Sequence, residues 1–402
     1  MIYRIFLLKM VLDDSYLDRF VGFNRNQRSF RRVRSFDPTF LVRDATLRPS
    51  GQQSGPYVAK NSFLGFSLHS QLLRNIEGRG YKTPTPIQDQ AIPHLLSGRD
   101  VVGIAGTGTG KTAAFLIPLI NRVMGDKSQR VLIMSPTREL AAQTEQELKH
   151  LTSGMNVFST LCIGGVGMGF QIRGLQRNPN FAVGTPGRLI DLEKNRKINF
   201  STFGSVVLDE VDRMLDMGFI HDMTRVISQL PKERNFAFFS ATMPDNVQNV
   251  ARRFLRNPVT IKIETNTSMA NIAQNIVKTN GKAKIEVLHD LLIKDGFNKV
   301  LVFGRTKFGL ERLARDLGSR GFDVAAIHGN KSQGQRLRAL ESFRSSRVKV
   351  LLATDVASRG LDVEGVTHVI NFDLPETRED YIHRIGRTGR VNNRGVALTL
   401  VD

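Results

Sequence analysis

Asp100-Val-Val-Gly-Ile-Ala105-Gly-Thr-Gly-Thr-Gly-Lys111-Thr112 sets an apolar run against a glycine-rich turn closing on lysine and threonine, and a helix-like stretch, Ala113 to Val123, follows. Strand, turn and helix in that order make the context of a phosphate loop. Gly106, Gly108 and Gly110, alternating with Thr107 and Thr109, let the backbone turn its N–H groups toward an anion, and the helix adds the positive end of its dipole. Lys111 would then reach the outer phosphates and Thr112 would offer a hydroxyl to Mg²⁺. The first position of the strict pattern is Ala105, not glycine. Further on, Val206-Val-Leu-Asp209-Glu210-Val211-Asp212 reads as a buried strand that delivers carboxylates to its C-terminal edge, where open α/β sheets bind ligands. Asp209 is placed to hold the Mg²⁺ shell, and Glu210 to orient and deprotonate an attacking water. Either segment alone is weak; together, in this order, they indicate nucleoside triphosphate hydrolysis.

Composition widens the picture. The 402 residues allow two or three domains, and 57 Lys and Arg against 37 Asp and Glu leave a net charge of +20. Such an excess favours polyanionic partners, nucleic acid first among them. Cys162 is the only cysteine, which excludes an intrachain disulfide and a cysteine-rich metal site, fits a reducing compartment, and reads as a small core residue. The apolar start, Met1 to Leu12, is broken by Arg4 and Lys9 and followed by Asp13 and Asp14, unlike a secretion signal. A cytoplasmic protein without a membrane span is expected.

Residues 1–60 form a basic extension, expected to be largely disordered, in which Arg25, Arg28, Arg31, Arg32, Arg34 and Arg43 interleave with Phe20, Phe23, Phe30, Phe36 and Phe40. It could be an RNA-binding arm, since guanidinium planes and aromatic rings both stack on unpaired bases, or a basic tail binding little. From residue 61 to 264, strand-like runs at Val101–Ile104, Val131–Ser135, Phe181–Gly184, Val206–Leu208 and Phe236–Phe239 alternate with helix-like ones. That alternation predicts a parallel sheet covered on both faces. Residues 265–274, polar and aperiodic, suit a linker. A second series over 275–402 places strands at Val300–Phe303, Val324–Ile327, Val348–Ala353, His368–Asn371 and Val396–Val401, with no second phosphate loop.

These segments, with others in fixed order, closely resemble the DEAD-box ATP-dependent RNA helicases of helicase superfamily 2, from about Ser62 to the last residue. The resemblance implies an α/β fold of two tandem RecA-like domains, with ATP and Mg²⁺ in the cleft and single-stranded RNA or a short duplex across both domains. Gly80-Tyr81-Lys-Thr-Pro84-Thr-Pro86-Ile87-Gln88 is similar to the Q motif; Gln88 would read adenine, and Phe63 would stack on it. RNA contacts are expected from Pro136, Thr137 and Arg138, from Gly165, and from Thr185 and Arg188, which match motifs Ia, GG and Ib. Such contacts go to the backbone and read no sequence. Ser240-Ala241-Thr242 matches motif III and, with Asp212 and His383, would couple nucleotide state to RNA. In the second domain Arg305 lies in a motif IV, and Gln333 and Arg336 in the motif preceding V. Thr354, Gly360 and Asp362 lie in motif V, with Asp362 on the ribose. Motif VI, Tyr381 to Arg390, supplies Arg387 and Arg390 as arginine fingers.

The resemblance implies RNA-stimulated ATP hydrolysis coupled to domain closure, with local, non-processive separation of short duplexes or remodelling of ribonucleoprotein. A monomer is expected, with ribosomal or ribonucleoprotein proteins as possible partners. An ATP-gated RNA clamp and a DNA helicase are the rival readings, the latter disfavoured by the Q motif. Val211 stands where the family carries alanine, and activity is expected to survive it. The chain stops at Asp402, so a closing helix of the second domain is expected to be truncated.

Overall fold

The computed structural model describes residues 57–263, 271–358, 363, 365–389 and 394–402. The N-terminal arm up to residue 56, linker residues 265–270, and Gly360, Asp362 and Arg390 lie outside them. The chain makes two parallel sheets with flanking helices. The first contains β1 (Val101–Ile104), β2 (Val131–Met134), β3 (Ser159–Cys162), β4 (Phe181–Gly184), β5 (Ser205–Leu208), β6 (Asn235–Ser240) and β7 (Val259–Lys262), in the order β3-β4-β2-β5-β6-β1-β7. The second contains β8 (Ile272–Lys278), β9 (Val300–Phe303), β10 (Val324–Ile327), β11 (Val350–Ala353), β12 (His368–Asn371) and β13 (Gly395–Val401), in the order β10-β11-β9-β12-β13-β8.

Burial explains which strands the sequence announces. β2, β4, β5, β9 and β11 are buried along their whole length and appear as continuous apolar runs. Successive residues serve opposite faces: Val207 and Phe239 join the cluster around Phe115 and Ile120, whereas Leu208 and Phe238 join the one around Leu132 and Phe200. Three strands carry no such signal, and all three are sheet edges. β3 alternates Ser, Thr, Leu and Cys with every second residue buried, β7 buries only Ile261, and β8 buries only Ile272. β8 is held by pairing with β13 from Ile272↔Gly395 to Lys278↔Val401. The last three residues assigned to the linker from sequence, Ile272 to Gln274, therefore belong to the second sheet. Edge strands pack one side against solvent, so polarity and weak periodicity do not exclude them.

A buried arginine paired with a half-buried aspartate holds the second domain. Arg384 is 2% exposed and donates twice to Asp355, at 2.6 and 2.7 Å, with further bonds to the Asn371 side chain (3.1 Å) and the Asp373 carbonyl (2.6 Å). Its guanidinium also sits over the Phe303 ring at 5.1 Å. Arg384→Ala removes the charged hydrogen bonds of a buried guanidinium while the partly exposed Asp355 can turn to solvent, so it should destabilise this domain by about 1.5–3 kcal/mol. Urea unfolding followed by circular dichroism checks this; a loss under about 1 kcal/mol, the range of a surface pair, would show that the network is dispensable.

Candidate functional site

Parallel strands present their C-terminal ends on one edge, and the motif residues leave the sheets there. β5, β6 and β1 are neighbours in the first sheet, so Asp209, Ser240 and Ala105 emerge side by side. After β1 the chain turns through Gly108 and Gly110, with φ of 80° and 92°, into the helix Lys111–Gly125. Only glycine adopts these angles without strain. Lys111 is buried and donates to the Ala105 and Gly106 carbonyls at 2.7 and 3.1 Å, and Thr109 donates to Gly106 at 2.8 Å. Thr112 follows, half-buried, in the first helical turn.

Asp209 and Glu210 are both buried. Burial, then the neighbouring Glu210 charge, pushes the Asp209 carboxyl up to about 7 in spite of Lys111. Burial also acts against Glu210, but Arg213, Lys111 and Arg387 outweigh it and hold its pKa below the usual glutamate value. Glu210 pairs with Arg213 one helical turn on and has φ of 51°, a left-handed conformation that costs a non-glycine residue and marks functional turns. Val211 is fully buried among Met214, Val247 and the strand residues, a packed position. The donor types fit Mg²⁺: the buried Asp209 carboxylate at the end of β5 and the Thr112 hydroxyl in the first turn of the helix after β1 are hard oxygen ligands of the kind that cation takes alongside phosphate oxygens.

Asp212 turns the other way. Its Oδ2 accepts from Ala241 N (3.1 Å), Thr242 N (2.8 Å) and Thr242 Oγ1 (2.9 Å), while the Ser240 hydroxyl accepts from Asp212 N at 3.3 Å. The three expected coupling residues of the first domain are thus one network. His383, the fourth residue expected to couple, lies on the second domain's helix Arg378–Ile385, where its carbonyl accepts from Arg387 Nε at 3.1 Å. Arg387 is nine-tenths buried, and its charge acts on Glu210 of the first domain.

Gln88 is buried at the start of the helix Pro86–Leu96; its Oε1 accepts from Thr85 N (3.0 Å) and its Nε2 donates to the Gly110 carbonyl (3.1 Å). It ties the Q motif to the phosphate loop and retains one N–H and one lone pair for a base. Phe63 packs between Phe66 (6.1 Å) and Tyr81 (6.4 Å). Sequence reasoning passed over Asp89. Its buried carboxylate accepts from Tyr57 Oη (2.5 Å), Lys60 N (2.8 Å), Asn61 N (3.0 Å) and Asn61 Nδ2 (2.8 Å), fixing the strap that leads into Phe63. Burial raises its pKa, but these donors more than offset that and leave it lowered. Asp89→Asn swaps an acceptor for a donor facing donors, at about 1.5–3 kcal/mol per charged bond. It should raise the KM for ATP about tenfold or more with kcat little changed. Steady-state kinetics would reject this role if kcat fell and KM did not move.

The described residues expected on RNA follow the C-terminal ends of strands in the two sheets. Thr137 caps the helix Arg138–Leu151, and the Arg138 guanidinium lies against Gly164 and Gly165, where a β-carbon on Gly164 would come within 2.8 Å of it. Pro136 precedes this cap. Thr185 starts the helix Pro186–Lys194, and Arg188 donates to the Val166 carbonyl at 3.3 Å. In the second domain Arg305 is exposed, its N–H bonded to Asp373 at 2.8 Å, and Thr354 follows β11, half-buried. Gln333 and Arg336 turn toward the first domain: Gln333 Nε2 donates to Glu139 Oε1 at 2.9 Å, and Arg336 Nη2 meets Glu139 Oε2 at 3.1 Å. Glu139 was legible only as a letter of motif Ia; nothing local signals a partner nearly two hundred residues away.

Among the described residues no helix is long and apolar enough to cross a membrane. Residues 85–250 match the DEAD/DEAH box helicase family and residues 283–392 the helicase conserved C-terminal domain. The chain is 43% identical to the DEAD-box ATP-dependent RNA helicase CshA of Bacillus subtilis, over 85% of this chain and 69% of that protein. It is also 43% identical to the ATP-dependent RNA helicase CshA of Listeria monocytogenes, over 85% of this chain and 66% of that one. It thus spans about two thirds of the length of these relatives. Among solved structures, S. cerevisiae Dbp5 bound to RNA and ADP BeF3 superposes with a TM-score of 0.74 at 33% identity, covering 85% of this chain and 89% of that chain. A DEAD box protein from Methanococcus jannaschii gives 0.51 at 39% identity, covering 85% and 93%.

Proposed function

The chain belongs to the DEAD-box family of ATP-dependent RNA helicases, and from that premise we propose that it hydrolyses ATP on RNA by closing two RecA-like domains, 61–264 and the region from Ile272 to 402, over both ligands. It is a cytoplasmic monomer in this reading. The main support is Glu139, whose carboxylate bonds Gln333 and Arg336 of the other domain, together with the influence of Arg387 on Glu210.

The parts divide between the domains. Lys111 and the loop N–H groups bind the phosphates, Thr112 and Asp209 hold Mg²⁺, and Gln88 and Phe63 receive adenine. Mg²⁺, when bound, neutralises developing phosphate charge. Glu210, ionised and braced by Arg213, orients the attacking water, and Arg387 with Arg390 completes the site from the second domain. Hydrolysis therefore requires closure, and ATP and RNA each favour the closed state. Asp362 takes the ribose, and Thr354, Gly360 and Arg305 join the first-domain loops on the RNA backbone. Closure bends the bound strand and separates a short duplex locally, without long translocation.

ATP hydrolysis by the purified chain, measured alone, with single-stranded RNA and with matched DNA, tests this. Stimulation by RNA only is expected. ATP-dependent RNA binding without turnover would replace the helicase by a clamp, and equal stimulation by DNA would remove the RNA specificity.

A further inference from the structure

Two phenylalanines stand out on the surface, one in each domain. Phe170 is 73% exposed and Phe308 is 70% exposed. Single exposed apolar side chains are ordinary. These two share a setting that is not. Phe170 is the third residue of the helix Met168–Gln176, entered directly from the Gly164-Gly165 loop, and the Arg173 guanidinium lies 4.6 Å from its ring centroid. Phe308 is the second residue of the helix Lys307–Ser319, entered from Arg305 and Thr306, and the Lys307 ammonium lies 5.2 Å from its ring. Each ring therefore pairs an exposed π-surface with a cation at the mouth of a loop expected to hold RNA.

A short chain of contacts links the surroundings of the two rings across the domains. A β-carbon on Gly165 would sit 3.4 Å from Gln333 Cβ, so the loop feeding Phe170 touches the second domain. Gln333 opens the helix Gln333–Arg344, and the turn before that helix carries Asn330, to which Lys307 Nζ donates at 2.9 Å. From Phe170 the path runs over Gly165 and Gln333 to Asn330, Lys307 and Phe308. Aromatic rings flanked by cations along a phosphate-binding track are what unpaired nucleobases stack on.

We propose that Phe170 and Phe308 are base-stacking platforms, one per domain, that bind unpaired bases of the RNA whose backbone the motif loops hold. This rests on the RNA-helicase reading and adds base contacts to a backbone reader. The contacts tolerate any sequence, since every base has a π-face. They hold the strand at both ends of the track, so a base unpaired by closure is captured instead of re-pairing.

The chain contains no tryptophan, so Phe170→Trp and Phe308→Trp each create a single fluorescent reporter at the proposed contact. Each full-length variant is titrated with a short oligouridine, intact or with single bases removed, in the presence of a non-hydrolysable ATP analogue. Tryptophan emission should be quenched on binding, and Phe170→Ala and Phe308→Ala should each weaken binding roughly tenfold. That loss should vanish on RNA lacking the contacted base, which a merely structural defect would not reproduce. RNA bound with undisturbed emission and unchanged affinity in the alanine variants would overturn the proposal while leaving the helicase reading intact. A response at only one site would overturn the paired arrangement. Failure of the unmodified chain to bind RNA would overturn the helicase reading and this inference together.

Discussion

Arg387→Ala is expected to lower RNA-stimulated ATP turnover by about 10³- to 10⁵-fold, the range of arginine fingers in other phosphoryl-transfer enzymes. The side chain is nine-tenths buried, fixed through Nε to the His383 carbonyl, and its charge reaches Glu210. A buried guanidinium facing a phosphate site stabilises charge that grows in the transition state, so kcat should fall far more than ATP affinity. Arg387→Lys should recover little, because an ammonium lacks the planar fork. Single-turnover hydrolysis with saturating RNA separates chemistry from product release. A loss below about tenfold would remove Arg387 from the transition state and leave it a structural part of the second domain.

Glu210→Gln should reduce hydrolysis by about 10²- to 10⁴-fold while ATP-dependent RNA binding persists. The substitution keeps the shape and removes the charge, so the variant should close on RNA and stay closed. Its cost extends beyond the water: Arg213 loses its carboxylate partner in a site where both side chains are largely buried. Thermal unfolding therefore accompanies the kinetics, and Arg213→Gln separates the two effects. If turnover in Glu210→Gln fell only as much as in Arg213→Gln, the carboxylate would be acting through the ion pair and not on water. The pH profile gives an independent check. Because Glu210 has a lowered pKa, it stays charged across neutral pH, and no loss of activity there should trace to its protonation.

The glycine-rich loop, the strand leading into Asp209 and the tandem α/β pattern were legible because each depends on residues close in sequence. A turn with φ near 80–90° demands glycine, and a central strand buried on both faces demands a continuous apolar run. The edge strands were illegible for the converse reason: with one side free, β3, β7 and β8 place few demands on their residues. Strand order was likewise absent from the sequence, although it is what sets Ala105, Asp209 and Ser240 side by side.

By itself, then, the sequence determined the helicase class and the segments from which nucleotide-handling residues are expected, since those segments are short and their spacing is fixed by one turn or one helix end. Only the tertiary structure decided how those segments are braced. Asp89 fastens a strap from residues 57–61, Glu139 reaches Gln333 and Arg336, and Arg384 finds Asp355. Each is a charge whose partner stands far off in sequence, and in these buried surroundings the partner, not the local pattern, makes the position tenable.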